Sequence, residues 1–579
     1  MERLRQAALV DAGQVAKQKV NPVKNACGTA LRLIGRSGIA WQVPLDVFQY
    51  ECEDGSFVDI SYIHPKKMLE YLMEHHPIVV LGNSDFATGR DACKDFWTAY
   101  RQNHGGHVVF EQELDLRRVL PVSLHGDEGK GKRRSNTTSV SFESALGILG
   151  QNRPCMECVP STIDVTLDGA VPEVHPACHL RHNLKGHSYL QHWPIFILPG
   201  TYVRDYRPML EQMLHLISGI FRDLLENGFQ ARGQCWRVGV VGKKGDLKWF
   251  SKVCHLTRGY ENKGRVNDKA CCHMCLAGLP GLPAEDLSST PCWTRACFLE
   301  RPWAQNRLPD LDLIPFDEVR PEFMYRHDIF HTLRLGVYRD FTASVIFLFL
   351  YWGIWGTQGD VDVKLGRAHG SFKLWQAGTS KSASLRSFSK FLFVYKSKKS
   401  FPWSNVKGSD CMLLVKWIST FTTGLLTEGS LSEEQAGVCN TIVAAADLAI
   451  GFWKFVNDHS LFVQRSCAGV LYEQGQAFCV AYAQLAQYAM NSNYCLFGLK
   501  PKIHFFKHIL EDIKQCLDAG ATAILNPMCF NCEQNEDHIG RICHLAKGID
   551  ARVMSSRVLK LYLIKAALLL DRHQPRIGR

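Results

Sequence analysis

The sequence feature that most constrains the fold is a set of four short apolar segments within residues 119–242, each bounded by turn-forming or charged residues. Segments of this length, rich in β-branched and aromatic residues, predict β-strands. A longer segment, 206–227, has leucine and isoleucine at helical spacing, and an amphipathic helix is predicted after the fourth strand. The chain is therefore predicted to be an α/β protein. The predicted strands are VLPVSLH (119–125), TTSVSFESALG (137–147), WPIFILPG (193–200) and CWRVGVVG (235–242), and the last helix is LKWFSKVCHL (247–256).

This order of strands and helices is that of an RNase H-like half-fold, and it places an acid after the first and the fourth strand. Asp127 follows the first strand in a predicted Gly126-Asp127 turn, and Asp246 precedes the last helix. Neighbouring strands of such a half-fold bring the two carboxylates side by side. Carboxylates that converge from separate elements can hold the two Mg²⁺ or Mn²⁺ ions used in phosphodiester cleavage. The alternative for each acid is a helix cap or a turn, because Gly-Asp is a common turn pair.

A third acid is expected from a later helix. The segment NEDHIGRI (535–542) offers Glu536 for this position. If the alignment of these acids is off by one residue, their neighbours Glu128 and Asp537 are the ligands instead.

The cysteines and histidines include three Cys-x-x-Cys pairs, a spacing that lets two thiolates reach one tetrahedral Zn²⁺. These pairs are Cys155/Cys158, Cys272/Cys275 and Cys529/Cys532. The second pair is the best candidate, because His504 and His508 are four residues apart and share one face of a helix.

Several alternatives to this zinc site remain open at the level of sequence. Asp328 and His331 are a competing second half for the Cys272/Cys275 pair. The first and third cysteine pairs can also form a site with each other if the fold brings them together. Finally, His504 and His508 can be ordinary residues of a helix surface.

Five short blocks along the chain carry a family resemblance. They are GDLKWFSKV (245–253), CCHMC (271–275), HDIFH (327–331), KPKIHFFKHILEDI (500–513) and NCEQNEDHIGRICHLAK (531–547). In this order they resemble the CACTA-type (En/Spm and Plavaka-like) DNA transposases. The resemblance spans roughly Val119 to Lys547. It implies an RNase H-like core in which Asp127, Asp246 and Glu536 are the catalytic acids.

The resemblance has two further implications. The family's acid-x-x-His motif maps onto Asp328 and His331. Related RNase H-like recombinases, among them the catalytic subunit of the V(D)J recombinase, are similar in joining an early Cys pair to a late His pair, which implies a zinc ion that ties the insertion to the core. The chain departs from the pattern at Ile539-Gly540-Arg541, and no DNA-binding module is recognised ahead of the core.

Charge suggests DNA as the partner. The chain has 67 Lys and Arg against 56 Asp and Glu, a formal net charge of +11, and an excess of this sign suits a polyanion. A basic loop directly after the first acid can contact phosphates. Its alternatives are a solvated loop or a nuclear-import signal. The loop residues are Lys130, Lys132, Arg133 and Arg134.

The remaining expectations concern location and organisation. Twenty-two cysteines without a recognisable signal peptide predict reduced thiols in an intracellular, nuclear protein. Ser344–Trp355 is too short to cross a bilayer, so a buried core helix is expected and no membrane partner. The predicted units are residues 1–110 (N-terminal α/β region), 111–260 (first part of the core), 261–500 (Cys-x-x-Cys segment and mainly helical insertion) and 501–579 (C-terminal helices with the third acid).

The function expected from these features is two-metal-dependent DNA strand cleavage and strand transfer by a transposase-like enzyme, as a homo-oligomer when active. One alternative is a transposase-derived DNA-binding protein without catalysis. A second alternative, unrelated to DNA, is a zinc-stabilised intracellular scaffold.

Overall fold

The structure is a computed structural model that describes residues 40–82, 85–131, 136–147, 174–184, 186–263, 269–303 and 313–577, with side chains to residue 570. It is a mixed α/β fold built on a seven-stranded sheet with strand order β1-β2-β5-β4-β3-β7-β6. A small second sheet pairs β8 with β9. The strands are β1 (Leu45–Glu51), β2 (Phe57–Ile63), β3 (Val119–Lys130), β4 (Asn136–Ser144), β5 (Trp193–Pro199), β6 (Phe229–Ala231), β7 (Gln234–Lys244), β8 (Phe462–Gln464) and β9 (Ala523–Leu525).

Helices surround the sheet and dominate the chain after β7. A π-helix, Phe330–Val337, continues directly into the first long helix of this later part. The α-helices of the described residues are α1 (Pro65–His75), α2 (Pro77–Val80), α3 (Phe86–Asn103), α4 (Ser188–Gln191), α5 (Gly200–Asp205), α6 (Arg207–Glu226), α7 (Leu247–Val253), α8 (Tyr338–Tyr351), α9 (Val361–Ala377), α10 (Gly408–Glu428), α11 (Glu433–Asp458), α12 (Arg465–Asn491), α13 (Pro501–Asp518), α14 (Glu533–Ala546) and α15 (Ala551–Ile577).

The four strands predicted between residues 119 and 242 are confirmed as β3, β4, β5 and β7, and the helices on either side of β7 are confirmed as α6 and α7. The predicted Gly126-Asp127 turn is wrong. β3 runs through both residues to Lys130, because its backbone pairing with β4 continues from Val122 to Lys130. Glycine at position 126 allows the Trp249 ring to pack closely against the backbone of β3, because a Cβ there would lie 2.2 Å from that ring.

Two elements near the start of the described residues, α2 and the hairpin β1–β2, were not predicted from the sequence. The short apolar run Pro77–Leu81 predicts a strand from the sequence. This prediction is wrong, because Pro77–Val80 form α2, which ends as the Leu81 N–H donates to the Pro77 carbonyl at 2.8 Å. Proline at the first helical position has a suitable φ, and so short an apolar run carries no usable periodicity. The hairpin β1–β2 was not predicted. It joins the main sheet through Tyr62, which lies opposite Phe196 on β5.

Two hydrophobic clusters hold the molecule together. One covers the main sheet and includes the fully buried Trp97, Trp193 and Trp236. The other lies among α8 and α10–α13 and includes Phe341 and Trp417. The core helix expected around Ser344–Trp355 is confirmed as α8, which is buried without a break from Asp340 to Leu350.

One helix of the described residues, α11, is long and apolar enough to cross a bilayer by length and composition alone. One of its sides packs into the second hydrophobic cluster, through residues such as Ile442, Ala449 and Phe452. Core helices of soluble proteins have the same composition, so the expectation of no membrane partner stays a prediction.

Candidate active site and metal centre

The parallel pairing of β3 and β7 brings the first two candidate acids to the same end of the sheet. His125 on β3 lies opposite Lys244 on β7. Asp127 lies two residues further along β3, and Asp246 lies two residues after Lys244, just beyond the end of β7, so both acids are at the same edge of the sheet. Asp246 also caps α7, because its Oδ1 accepts a hydrogen bond from the Trp249 N–H at 2.6 Å. One oxygen of Asp246 is therefore a helix cap, as the alternative interpretation predicts.

The third candidate acid reaches the same end of the sheet on α14, which packs against β3 and β4. The closest approach is at Gly129, two residues beyond Asp127. A Cβ at Gly129 would lie 2.3 Å from the Cys543 Sγ and 3.0 Å from the Ile539 Cγ1, so only glycine allows the helix to come this near. Glu536, in the first turn of this helix, is half-buried.

The charges of Glu536 and Asp246 both act on Asp127. Burial raises the pKa of Asp127 to about 7, and the negative charges of Glu536 and Asp246 add to the shift. Like charges that approach one another in a poorly hydrated place are unfavourable unless a proton or a cation neutralises them. At Asp127 a proton is therefore held more strongly than on an ordinary aspartate.

One oxygen of each carboxylate is engaged and the other is not. The Glu128 N–H donates to the Asp127 Oδ1 at 2.6 Å, and His331 Nε2 lies 3.3 Å from the Glu536 Oε1. Asp246 uses Oδ1 for its cap. The second oxygen of each acid accepts no hydrogen bond from any residue that the structure describes. The ligand atoms of the three acids do not all lie within 4.8 Å of one another, as those of the cysteine and histidine cluster described below do, so a site for Mg²⁺ or Mn²⁺ stays a prediction.

Glu128 and Asp537, the acids next to Asp127 and Glu536 in the sequence, make other contacts. Glu128 forms an ion pair with Lys252, as expected from the alternation that turns successive strand residues to opposite faces. Asp537 pairs with the Arg541 Nε at 2.6 Å and accepts from the Ser188 hydroxyl at 2.7 Å. Both of these acids thus have a basic partner, and the alignment with Asp127 and Glu536 stays a prediction.

Asp328 and His331 lie beside the acids and not in the cysteine cluster. The Asp328 carboxylate contacts the His331 Nδ1 and accepts from the backbone N–H of Phe330 at 2.8 Å and of Cys532 at 3.0 Å. Cys532 is the residue that caps α14, so Asp328 fixes the start of the helix that carries Glu536. The competing assignment of Asp328 and His331 as zinc ligands is thus not supported.

His331 links two acids. Burial alone would lower its pKa, but the Asp328 carboxylate and Glu536 outweigh burial and raise it to about 10. Burial favours the neutral form of Glu536, but the hydrogen bond and charge of His331 outweigh burial, and the pKa of Glu536 is lowered. The result is a chain Asp328–His331–Glu536 in which a cationic imidazole orients the Glu536 carboxylate.

A buried charged network beneath the acids was missed by the sequence analysis. Glu143 on β4 is 2% exposed and accepts a hydrogen bond from the Lys244 Nζ at 2.5 Å. It also contacts the His192 ring, and Asn535 Nδ2 donates to its second oxygen at 3.2 Å. Burial favours the neutral acid, but Lys244 and His192 outweigh it and lower the pKa of Glu143. Asn535 directly precedes Glu536, so this network ties α14 to the sheet.

The Cys272/Cys275 pair meets the predicted histidines. Ligand atoms of Cys272, Cys275, His504 and His508 all lie within 4.8 Å of one another, and none of the four residues is more than 4% exposed. Cys275 Sγ is 3.3 Å from both His504 Nε2 and His508 Nε2, and Cys272 Sγ is 3.5 Å from His508 Nε2. His504 and His508 are therefore not surface residues, and that alternative is wrong.

These distances fit the tetrahedral coordination of a zinc ion. Bonds of about 2.3 Å to sulfur and 2.0–2.1 Å to nitrogen, at a tetrahedral angle, place sulfur and nitrogen ~3.6 Å apart. Backbone N–H groups of Met274 and Ala277 point at the two sulfurs, at 3.3 and 3.4 Å, which favours thiolates. A buried Cys₂His₂ cluster of this geometry can bind zinc, with no open side for a substrate.

The structure describes only some of the other predicted site residues, which are the remaining cysteine pairs and the basic loop. Cys529 and Cys532 are buried and form no disulfide with a described residue, whereas Cys155 and Cys158 lie outside the described residues. In the basic loop, Lys130 is exposed at the end of β3. Lys132, Arg133 and Arg134 lie outside the described residues.

Comparison with known proteins adds no assignment. No family model matches the chain, and no curated protein matches it.

Proposed function

We propose that the protein is a transposase-like enzyme that cleaves and transfers DNA strands with two divalent metal ions. The observation that supports the proposal is that Asp127 on β3, Asp246 just beyond the end of β7 and Glu536 on α14 come to the same edge of the sheet from separate elements. The order of strands, the early placement of two acids and the late helix with the third are the arrangement that we expect of an RNase H-like nuclease core.

The chain's own residues have distinct roles in this proposal. Asp127 and Asp246 project from the same end of two parallel strands, and Glu536 closes the site from α14. Mg²⁺ or Mn²⁺ held by these carboxylates would activate the attacking oxygen and stabilise the leaving one. His331 orients Glu536, and the Glu143–Lys244 pair fixes the strand ends and the helix beneath them.

The chemistry consists of two phosphoryl transfers. In the first, the oxygen of a water forms a bond to phosphorus, and the phosphorus–O3′ bond breaks, leaving a 5′ phosphate and a 3′ hydroxyl. In the second, that 3′ hydroxyl forms a bond to a phosphorus of target DNA and displaces the 3′ oxygen of the target strand. Neither step needs an oxidant or a reductant.

The test is nicking of supercoiled plasmid by purified protein with added Mg²⁺ or Mn²⁺, which requires no knowledge of a preferred sequence. Asp127→Asn, Asp246→Asn and Glu536→Gln should abolish nicking. The matched controls are Glu128→Gln and Asp537→Asn, which change the adjacent acid to its amide and should retain nicking.

Two results would refute the proposal: no nicking by the parent protein, or equal nicking by Asp246→Asn. Salt-sensitive DNA binding without nicking would instead indicate a transposase-derived binding protein without catalysis. No binding of DNA at low salt would favour a zinc-stabilised scaffold.

A further inference from the structure

A large cleft opens beside the acid cluster. It has a volume of about 1090 Å³ and contains Glu536 in its wall. Its walls come from α14, α15, the segment before β5 and the residue that precedes α10, so distant parts of the chain build it together. The residues on its surface are His187, Tyr189, Lys407, Glu536, Asp537, Gly540, Arg541, His544, Lys565, Leu568 and Leu569.

The rim of the cleft is basic. Arg541 and His544 lie on the exposed face of α14, Lys565 projects from α15, and Lys407 stands at the start of α10. The side chains of Lys407 and Lys565 form no hydrogen bond or ion pair with any residue that the structure describes. Two cations from separate helices that face one cleft without an acidic partner leave it with a positive field.

The acids of the cleft do not cancel this field. Asp537 is already paired with Arg541, whose Nε lies 2.6 Å from its Oδ2. Glu536 also has a basic partner, because the His331 Nε2 lies 3.3 Å from its Oε1. The floor, formed by Tyr189 and the half-buried Leu568 and Leu569, is apolar. A basic rim over an apolar floor is complementary to a polyanionic strand with sugars and bases between its phosphates.

The dimensions fit a short stretch of such a strand. Glu536 and His544 are eight residues apart on α14, which is ~12 Å at 1.5 Å per residue. One DNA strand advances about 3.4 Å per phosphate, so the helix face spans about three phosphates. Because one end of this face is Glu536, a strand lying along it would begin at the acid cluster.

We propose that this cleft binds the phosphodiester backbone of the DNA strand that leaves the acid cluster, with Lys407 and Lys565 as phosphate contacts. The inference rests on the proposed function for the identity of the ligand. The strand is either unpaired or one strand of a duplex, and both offer the same phosphates.

The experiment measures the affinity of the full chain for a fluorescent single-stranded oligonucleotide and for its duplex across a series of salt concentrations. No Mg²⁺, Mn²⁺ or chelator is added, so that cleavage is absent and the zinc site is left alone. Each phosphate contact contributes about 0.7 to the slope of log K against log salt for a single strand and about 0.9 for a duplex. Lys565→Ala and Lys407→Ala should each lower the slope by about that amount.

The matched control is Lys560→Ala. Lys560 is exposed on the same helix as Lys565 but lines a different groove, together with Trp41 and Val47. Its removal should leave the slope unchanged. Equal slopes for Lys565→Ala and Lys560→Ala on both DNA forms would overturn the inference. A loss of slope confined to the single strand supports an unpaired ligand, and a loss on both forms supports a strand of the duplex.

The plasmid assay separates this inference from the proposed function. If Asp246→Asn abolishes nicking while Lys565→Ala keeps the parent salt slope, the cleft assignment fails and the function stands. If Lys565→Ala lowers the slope while Asp246→Asn nicks like the parent, the function fails and the cleft remains a DNA-binding surface.

Discussion

Removing one zinc ligand should empty the Cys₂His₂ cluster and destabilise the chain. The change is Cys272→Ser, which replaces a thiolate 3.5 Å from the His508 Nε2 by a hydroxyl that binds zinc poorly. The measured sulfur–nitrogen separations of 3.3–3.5 Å are within ~0.3 Å of the tetrahedral value. The site is therefore already shaped for the ion, and little strain opposes binding.

The magnitude follows from mass action. An ion present at a thousand times its Kd stabilises the folded chain by about 4 kcal/mol. For a cooperative unit of 150–250 residues, 1 kcal/mol moves Tm by about 2–4 °C, so loss of the ion should lower Tm by about 8–16 °C. Three buried ligands left without a metal add to the cost.

The assay combines elemental analysis of the purified protein with thermal unfolding. The parent should contain about one zinc per chain and lose Tm when a strong chelator is added. Cys272→Ser should contain little zinc and should not respond to the chelator. The control is Cys271→Ser, because Cys271 is equally buried but lies outside the cluster. Zinc-free parent protein, or equal zinc in Cys272→Ser, would refute the assignment.

Three further predictions concern the residues around the acids. Glu143→Gln should remove a pH dependence: the lowered pKa of Glu143 stabilises the fold above its ordinary value of 4.5 and this stabilisation is lost as pH falls below it, so urea unfolding of parent and variant should converge in acid. Gly129→Ala should cost about 1–3 kcal/mol through its clash with the Cys543 Sγ, whereas Gly540→Ala, which meets nothing within 4 Å, should not destabilise; equal Tm values would contradict this. His331→Ala should lower the nicking rate while Tm changes less than in Gly129→Ala, and His331→Gln should restore part of the rate; an unchanged rate would exclude the orienting role.

The local patterns could be predicted because each is contained in a short window. The strand order from residue 119 to residue 242 follows from apolar runs, and the histidine pair follows from a spacing of four on one helix. Asp127 was wrongly placed in a turn, because the sequence does not show how far β4 continues to pair with β3. The start of α2 was missed for a related reason, since four apolar residues after a proline suit either structure.

The residues that sequence could not place depend on contacts between distant segments. Glu143 and Lys244 are charged residues in predicted strands, and nothing local shows that α14 closes over them. Asp328 and His331 had the correct residue types for zinc as well as for the acid cluster. Only the tertiary structure, in which the start of the π-helix lies next to the cap of α14, shows that these two residues lie beside the acids and not in the zinc cluster.

The position of Glu536 shows why such long-range ties are needed. It follows Asp127 by roughly 400 residues, and closing a loop of that length costs about 5 kcal/mol plus a constant in chain entropy. No local preference of α14 can supply this free energy. Zinc bound through α13 would contribute about 4 kcal/mol at the occupancy considered above and would fix the helix just ahead of β9. The Asp328 carboxylate then holds the Cys532 N–H, and Asn535 donates to Glu143. An acid cluster drawn from such distant residues therefore depends on the zinc site and the buried network as much as on the acids themselves.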